Sequence, residues 1–291
     1  MRKQLVKTVD KLLKESNVIL LLSDIGVFGF RNSFKNYPDR VYNIGILEQS
    51  TISLAAGLSK IGLIPIVHTI APFLVERPLE QLKIDFGYQE LNGNFISVGS
   101  SYDYASLGPT HHCPADIMLL KSIENFQIVV PGNSMELDVL LTSTYNNGSP
   151  TYIRLSEYEH TQNFNVKFGK ANIIKKGKKA TLICVGNMLD NVIESTKDLD
   201  LTILYYTTLE PFDYKILLDN FNDKIIIVEQ FYEGSLNYDI NIALQDKKYS
   251  LYNIGMKRKF LINYGKKEEH DINLSLDTES LRKKITEICI K

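Results

Sequence analysis

The chain has 291 residues, 44% apolar and 23% charged, with 33 Lys and Arg against 34 Asp and Glu. That is ordinary for a soluble globular protein with room for two domains, and a net charge of −1 gives no electrostatic argument for nucleic acid or an acidic membrane. Cys113, Cys184 and Cys289 form no C-x-x-C pair, which argues against a disulfide framework or a structural zinc site, and no apolar run approaches the roughly 18 residues of a spanning helix.

The first segment carries Lys7, Asp10, Lys11, Lys14 and Glu15, too charged for a signal peptide, so a reducing, cytoplasmic setting is expected. Its apolar residues Leu5, Val6, Val9, Leu12 and Leu13 make a helical stripe leading to Val18-Ile19-Leu20-Leu21-Leu22, a continuous run that suits a buried parallel strand. Ser23-Asp24-Ile25-Gly26 ends that strand, and Gly29, Asn32, Asn36 and Pro38 read as a loop returning to a second one. The alternation then predicts helix 48–61, strand 63–68, helix 74–86, strand 95–99, helix 114–122, strand 127–130, helix 134–145 and strand 151–155.

From Tyr158 to Lys179 the periodicity fades, and the cluster Lys175-Lys176-Gly177-Lys178-Lys179 reads as a solvated hairpin or linker. The pattern divides the chain into a domain at 1–160, a linker at 161–178 and a domain at 179–291. The second domain is expected to hold strands 181–185, 201–206 and 224–229, helices 213–220 and 235–244, a short strand near Leu251 and a terminal helix from Thr278. The fold class is therefore α/β, two doubly wound domains with mostly parallel sheets.

One stretch stands out. Val41-Tyr42-Asn43-Ile44-Gly45-Ile46-Leu47-Glu48-Gln49 runs from a strand through a glycine to a carboxylate opening a helix, where α/β folds place ligand-contacting groups. Taken alone, Glu48 reads more simply as a carboxylate favoured by the helix macrodipole. The words around it decide. Asn43 to Gln49 looks like N-x-G-I-x-E-Q, and Ala55-Ala56-Gly57 with Gly62 and Pro65 continues it. Phe73 with Arg77, Gly108-Pro109-Thr110-His111-His112 and Tyr152-Ile153-Arg154-Leu155-Ser156 follow in order. In this set of ordered words the chain resembles the C-terminal half of transketolase, from Ser23-Asp24 to the last helix.

The resemblance implies a thiamine-enzyme pyrimidine-binding fold followed by a transketolase C-terminal-domain-like fold, and thiamine diphosphate as cofactor. It makes Glu48 the carboxylate that hydrogen-bonds the pyrimidine ring nitrogen, a contact that needs a proton-sharing group in a dry setting. Phe73 matches the aromatic that packs on that ring, and Ile70 stands where a second aromatic is usual. His111 matches a histidine that faces the substrate and moves a proton or polarises a carbonyl. Asp24 matches an aspartate near the cofactor, with a turn or cap role as the other reading; His68 is near the expected pocket, with a core histidine as the other reading. The adjacent His111 and His112 lack the further ligands of a metal site, so no metal is assigned to this chain.

Two departures shape the expectation. The G-D-G word that holds the diphosphate and Mg2+ in the family is absent, so a partner N-terminal subunit is expected to carry that site, in an α2β2 heterotetramer with shared active sites. An Arg that helps bind substrate phosphate in sugar-phosphate relatives is Glu157 here, Leu107 replaces the acidic residue before Gly-Pro-Thr-His, and Gly99 or Ser100 replaces an upstream histidine. Arg31, Tyr102, Asp103 and Tyr104 could rebuild specificity for an unusual sugar, one linked to a nucleotide or lacking a terminal phosphate. The expected reaction is transfer of a two-carbon ketol unit between sugars. The alternatives are a deoxyxylulose-phosphate synthase-like or 2-oxo acid dehydrogenase beta-like subunit and, from another class, a non-catalytic stabilising or regulatory subunit.

Overall fold

The computed structural model describes residues 1–290. In chain order the strands are Val18–Leu22 (β1), Val41–Asn43 (β2), Ile64–Ile70 (β3), Gly93–Val98 (β4), Gln127–Val129 (β5), Pro150–Arg154 (β6), Asn172–Lys175 (β7), Ala180–Val185 (β8), Leu201–Tyr206 (β9), Thr208–Glu210 (β10), Lys224–Tyr232 (β11) and Ser250–Met256 (β12). They form two sheets, ordered β10-β5-β6-β4-β3-β1-β2 and β12-β11-β8-β9-β7. All pairings are parallel except those of β10 and β7, one at an edge of each sheet.

Every residue of β1, β3, β4, β6, β8 and β9 is buried, which is why the apolar residues of these segments show no alternation. Helices return the chain between parallel strands. Helix Glu48–Lys60 does so by burying Thr51, Ile52, Ala55 and Ala56, the i, i+3, i+4 stripe of an amphipathic helix. Two apolar clusters form the core, and each draws residues from both sheets, so the halves of the chain are packed together.

Several sequence expectations are corrected. The helix expected at 74–86 is three pieces, Ala71–Val75, Leu79–Gln81 and a π-helical turn at Leu82–Gly87, because Pro78 has no N–H to continue the first piece. The helix expected at 114–122 is only Asp116–Leu120. Within the stretch read as a 161–178 linker, Asn172–Lys175 is an edge strand antiparallel to β9, and Lys175 Nζ donates to the carbonyls of Thr196, Lys197 and Leu199 just past helix Leu189–Ser195. Only Lys175 of the lysine cluster lies in this strand; Lys176, Lys178 and Lys179 are exposed in the connection to β8, as a solvated link. Strand β12 has seven residues where a short one was expected. The loop expected between Gly29 and Pro38 holds helix Arg31–Asn36, and helix Lys267–Leu274 and strand β10 have no counterpart in the sequence reading; β10 crosses to the first sheet and pairs with β5.

Candidate active site

The carboxyl ends of β1 and β2 are tied by one side chain. Asn43 Oδ1 accepts from the backbone N–H of Asp24 at 2.9 Å and of Gly45 at 3.2 Å, while its amide donates to Asp24 Oδ1 at 2.8 Å. Asp24 (φ +59°) and Gly45 (φ +84°) both take left-handed backbone, the bend that lets the chain turn sharply off each strand. Gly45 meets this without strain, and Asp24 is held in it by Asn43.

That turn delivers Glu48 to the start of its helix, 4% exposed. Arg77 Nη1 donates to Glu48 Oε1 at 2.9 Å, and the same guanidinium lies 3.7 Å from the centroid of the Phe73 ring. A cation four residues past an aromatic across a helical turn falls naturally over its face. His111 meets the Phe73 ring edge-on at 5.3 Å, and Tyr104 lies 6.4 Å beyond it. His111 Nδ1 and Thr110 Oγ1 are 2.9 Å apart. The structure thus brings Glu48, Phe73, His111 and Tyr104 into one run of contacts. Ile70, at the end of β3, is buried in the apolar cluster against which Phe73 also packs.

Asp24 and His68 line a cavity of about 490 Å³ with the Ile25–Phe30 loop and the first helix. His68 is buried, its Nδ1 2.8 Å from the Ile96 carbonyl. Burial pushes its pKa down to about 4, so the ring is neutral, Nδ1 donates to the carbonyl and Nε2 is left as an acceptor. Gly26 is required beside it, since a Cβ there would stand 2.9 Å from the ring. Arg31 joins neither group: Nη1 donates to the Phe28 carbonyl at 2.9 Å, and its guanidinium lies 4.5 Å from the Phe28 centroid. Tyr104 packs against Gly99; burial and the nearby Glu157 carboxylate push its hydroxyl up.

The second histidine of the pair points elsewhere. His112 is buried against His270, ring centroids 6.0 Å apart, and burial lowers its pKa to about 4. Arg154 is fully enclosed: Nε donates to Asp116 at 2.7 Å, Nη2 to Ser101 Oγ at 2.7 Å, and the guanidinium lies 5.3 Å from Phe231 of β11. It joins the two sheets behind the site. Among the described residues, no three or more His, Cys, Asp and Glu side chains cluster to hold a metal ion, and no helix is long and apolar enough to cross a membrane.

Sequence reasoning pairs Arg77 with an acidic residue at a helix start, which Glu48 provides, but assigns it no place in the site, although its F-x-x-x-R spacing is the signal that places it on Phe73. Asn43 was read as a word of a motif and not as the lock between two strands. The unpartnered buried hydroxyls of Ser23 and Thr69, at the carboxyl ends of neighbouring strands, had no sequence signal.

Over residues 1–161 the sequence matches the family described as transketolase, pyrimidine binding domain. An uncharacterized 33.6 kDa protein in the fasciation locus of Rhodococcoides fascians is 33% identical over 276 residues, 93% of this chain and 88% of that one. An apulose-4-phosphate transketolase subunit of Actinobacillus succinogenes is 30% identical over 207 residues, 67% of either chain. A solved structure described as a split gene transketolase, inactive beta4 tetramer, superposes with a TM-score of 0.88 over 99% of this chain and 98% of its own, at 21% identity; that likeness is one of fold.

Proposed function

The chain belongs to the transketolase family, and from that premise we propose that it is the C-terminal subunit of a two-subunit, thiamine diphosphate-dependent transferase that moves a two-carbon ketol unit between sugars. The observation that carries the reading is the Glu48–Arg77–Phe73 arrangement. A planar, nitrogen-rich guanidinium lies on the Phe73 face and donates to the Glu48 carboxylate. Those are the two contacts an aminopyrimidine ring would need, a flat apolar face and an acceptor at its edge, so these residues fit the cofactor's pyrimidine.

In this reading Glu48 would share a proton with the cofactor's ring nitrogen. Its burial strengthens that bond and keeps water from competing for it. Phe73 would cover the ring face, with Ile70 in the same apolar cluster. Asp24, fixed by Asn43, would lie close to the cofactor. His111, against Phe73, moves a proton at the sugar carbonyl oxygen. When bound, the cofactor supplies the carbanion chemistry. Tyr104, His68 and Arg31 are assigned to substrate.

The cofactor's diphosphate and its Mg2+ are assigned to a partner N-terminal subunit in an α2β2 heterotetramer. The Actinobacillus relative is named as one subunit of a transketolase and the structural neighbour as the product of a split gene, and both names support that division. The sugar is expected to differ from a simple pentose phosphate, since Glu157 stands where a phosphate-binding Arg is usual.

Calorimetry with thiamine diphosphate and Mg2+, on the chain alone and after co-expression with the protein encoded beside it, tests the proposal. Binding in the complex only is the expected result. No binding in either sample would move the chain to a stabilising role without catalysis.

A further inference from the structure

The cavity beside the Asp24 loop is lined by groups of two unlike kinds. Its hydroxyl-binding groups are His68, whose Nε2 is an acceptor, and Asp24, one of whose carboxylate oxygens is taken by Asn43. The rest of the lining is apolar and cationic. Leu5, Val6, Ile25 and Val27 contribute hydrocarbon, and Arg2 and Lys3 bring two positive charges from the first helix. Phe28 also lines the cavity, yet is 81% exposed, and Arg31 lies 4.5 Å from its centroid.

An exposed phenylalanine backed by a guanidinium is a stacking platform for a flat heterocycle. A sugar with only hydroxyls and a terminal phosphate has no use for it, and a space of about 490 Å³ is generous for such a sugar.

We propose, resting on the transketolase-like reading of the site, that this cavity binds a sugar linked to a nucleoside diphosphate. The sugar hydroxyls go to His68 Nε2 and Asp24, the diphosphate to Lys3 and Arg2, and the base to the Phe28 face. The donors then match what each part presents: acceptors for hydroxyls, cations spread along a bridging diphosphate, and a flat apolar surface for a heterocycle.

The test is calorimetry on the full chain with a panel of nucleoside diphosphates (UDP, CDP, GDP and dTDP) and with ribose 5-phosphate. At least one nucleotide is expected to bind at least tenfold more tightly than the pentose phosphate. Phe28→Ser and Lys3→Glu, both at exposed positions, should each weaken that binding tenfold or more with an unchanged melting temperature. Equal or tighter binding of ribose 5-phosphate, absence of nucleotide binding, or indifference to Phe28→Ser would each overturn the assignment. Nucleotide binding needs neither the partner nor turnover. A complex that ignores thiamine diphosphate while the chain still binds nucleotide overturns the transferase reading alone, and the reverse pattern overturns only this one.

Discussion

Arg77 donates to Glu48 across 2.9 Å from a side chain that is itself 41% exposed, so the buried carboxylate's ion pair is held by a group with a route to solvent. The partner of Glu48 can leave without unfolding anything around it.

Replacing Arg77 with Gln should therefore tighten thiamine diphosphate binding by the assembled enzyme several-fold. The pair is half-exposed and worth about 1 kcal/mol at most, and its loss removes a competitor for both Glu48 and Phe73. Titration calorimetry at two salt concentrations reads this, with the gap between wild type and variant shrinking as salt screens the pair. Weaker binding would show that Arg77 holds the cofactor and does not stand in for it.

Glu48→Gln keeps the shape of the side chain and removes the exchangeable proton. Turnover should fall by at least about a hundredfold, with assembly unchanged by size-exclusion chromatography. Unchanged turnover would point to a subunit that supports its partner without entering the chemistry.

His111→Gln is expected to lower kcat by about 100-fold or more while leaving thiamine diphosphate affinity within a few-fold, because His111 touches Phe73 only at its edge. Equal losses in kcat and in cofactor binding would make it a packing residue.

Arg154→Met removes one half of a fully buried pair and strands the Asp116 carboxylate. Such a change costs about 3–5 kcal/mol, so urea unfolding should show a large loss. Because the guanidinium also reaches Phe231 of the second sheet, both halves should lose stability in a single transition.

Acid should destabilise the chain through His68. Its pKa is about 4 in the folded protein against 6.5 for a free histidine, so the unfolded chain takes up the proton first as pH falls. The stability is fully present above about pH 6.5 and is lost toward pH 4, at about 1.4 kcal/mol per pH unit. Urea titrations at pH 7.5, 6 and 5 should show a shallower dependence for His68→Gln, which can still donate to Ile96; identical slopes would rule this out.

The sequence made most of this legible where one local rule sufficed. Val18 to Leu22 reads as a buried parallel strand because both its faces are covered. The handover at Gly45 and Glu48 is legible because a left-handed glycine and a helix start each have a residue signature. Non-local relationships were not. Apolar periodicity continues through Pro78, so one helix was read where there are three pieces. Strand β10 is three residues long and is a strand only because β5 lies beside it. The Glu48–Arg77 pair spans 29 positions and depends on how two helices meet the sheet. The resemblance pointed to Phe73 and His111 without saying that the two rings touch.

Strand β10 bears on how the polypeptide reaches its final state. It occupies the outer edge of the seven-stranded sheet, next to β5, whose other side is paired with β6. Until residues 208–210 have left the ribosome, β5 presents an open row of N–H and C=O groups to any strand in solution. The later part of the chain acts as a stopper for the earlier part, and a fragment ending near residue 161, where the family match ends, would carry that edge unprotected. Self-association of such a fragment, absent from the full-length protein, follows from three residues that no truncation guided by family boundaries would think to keep.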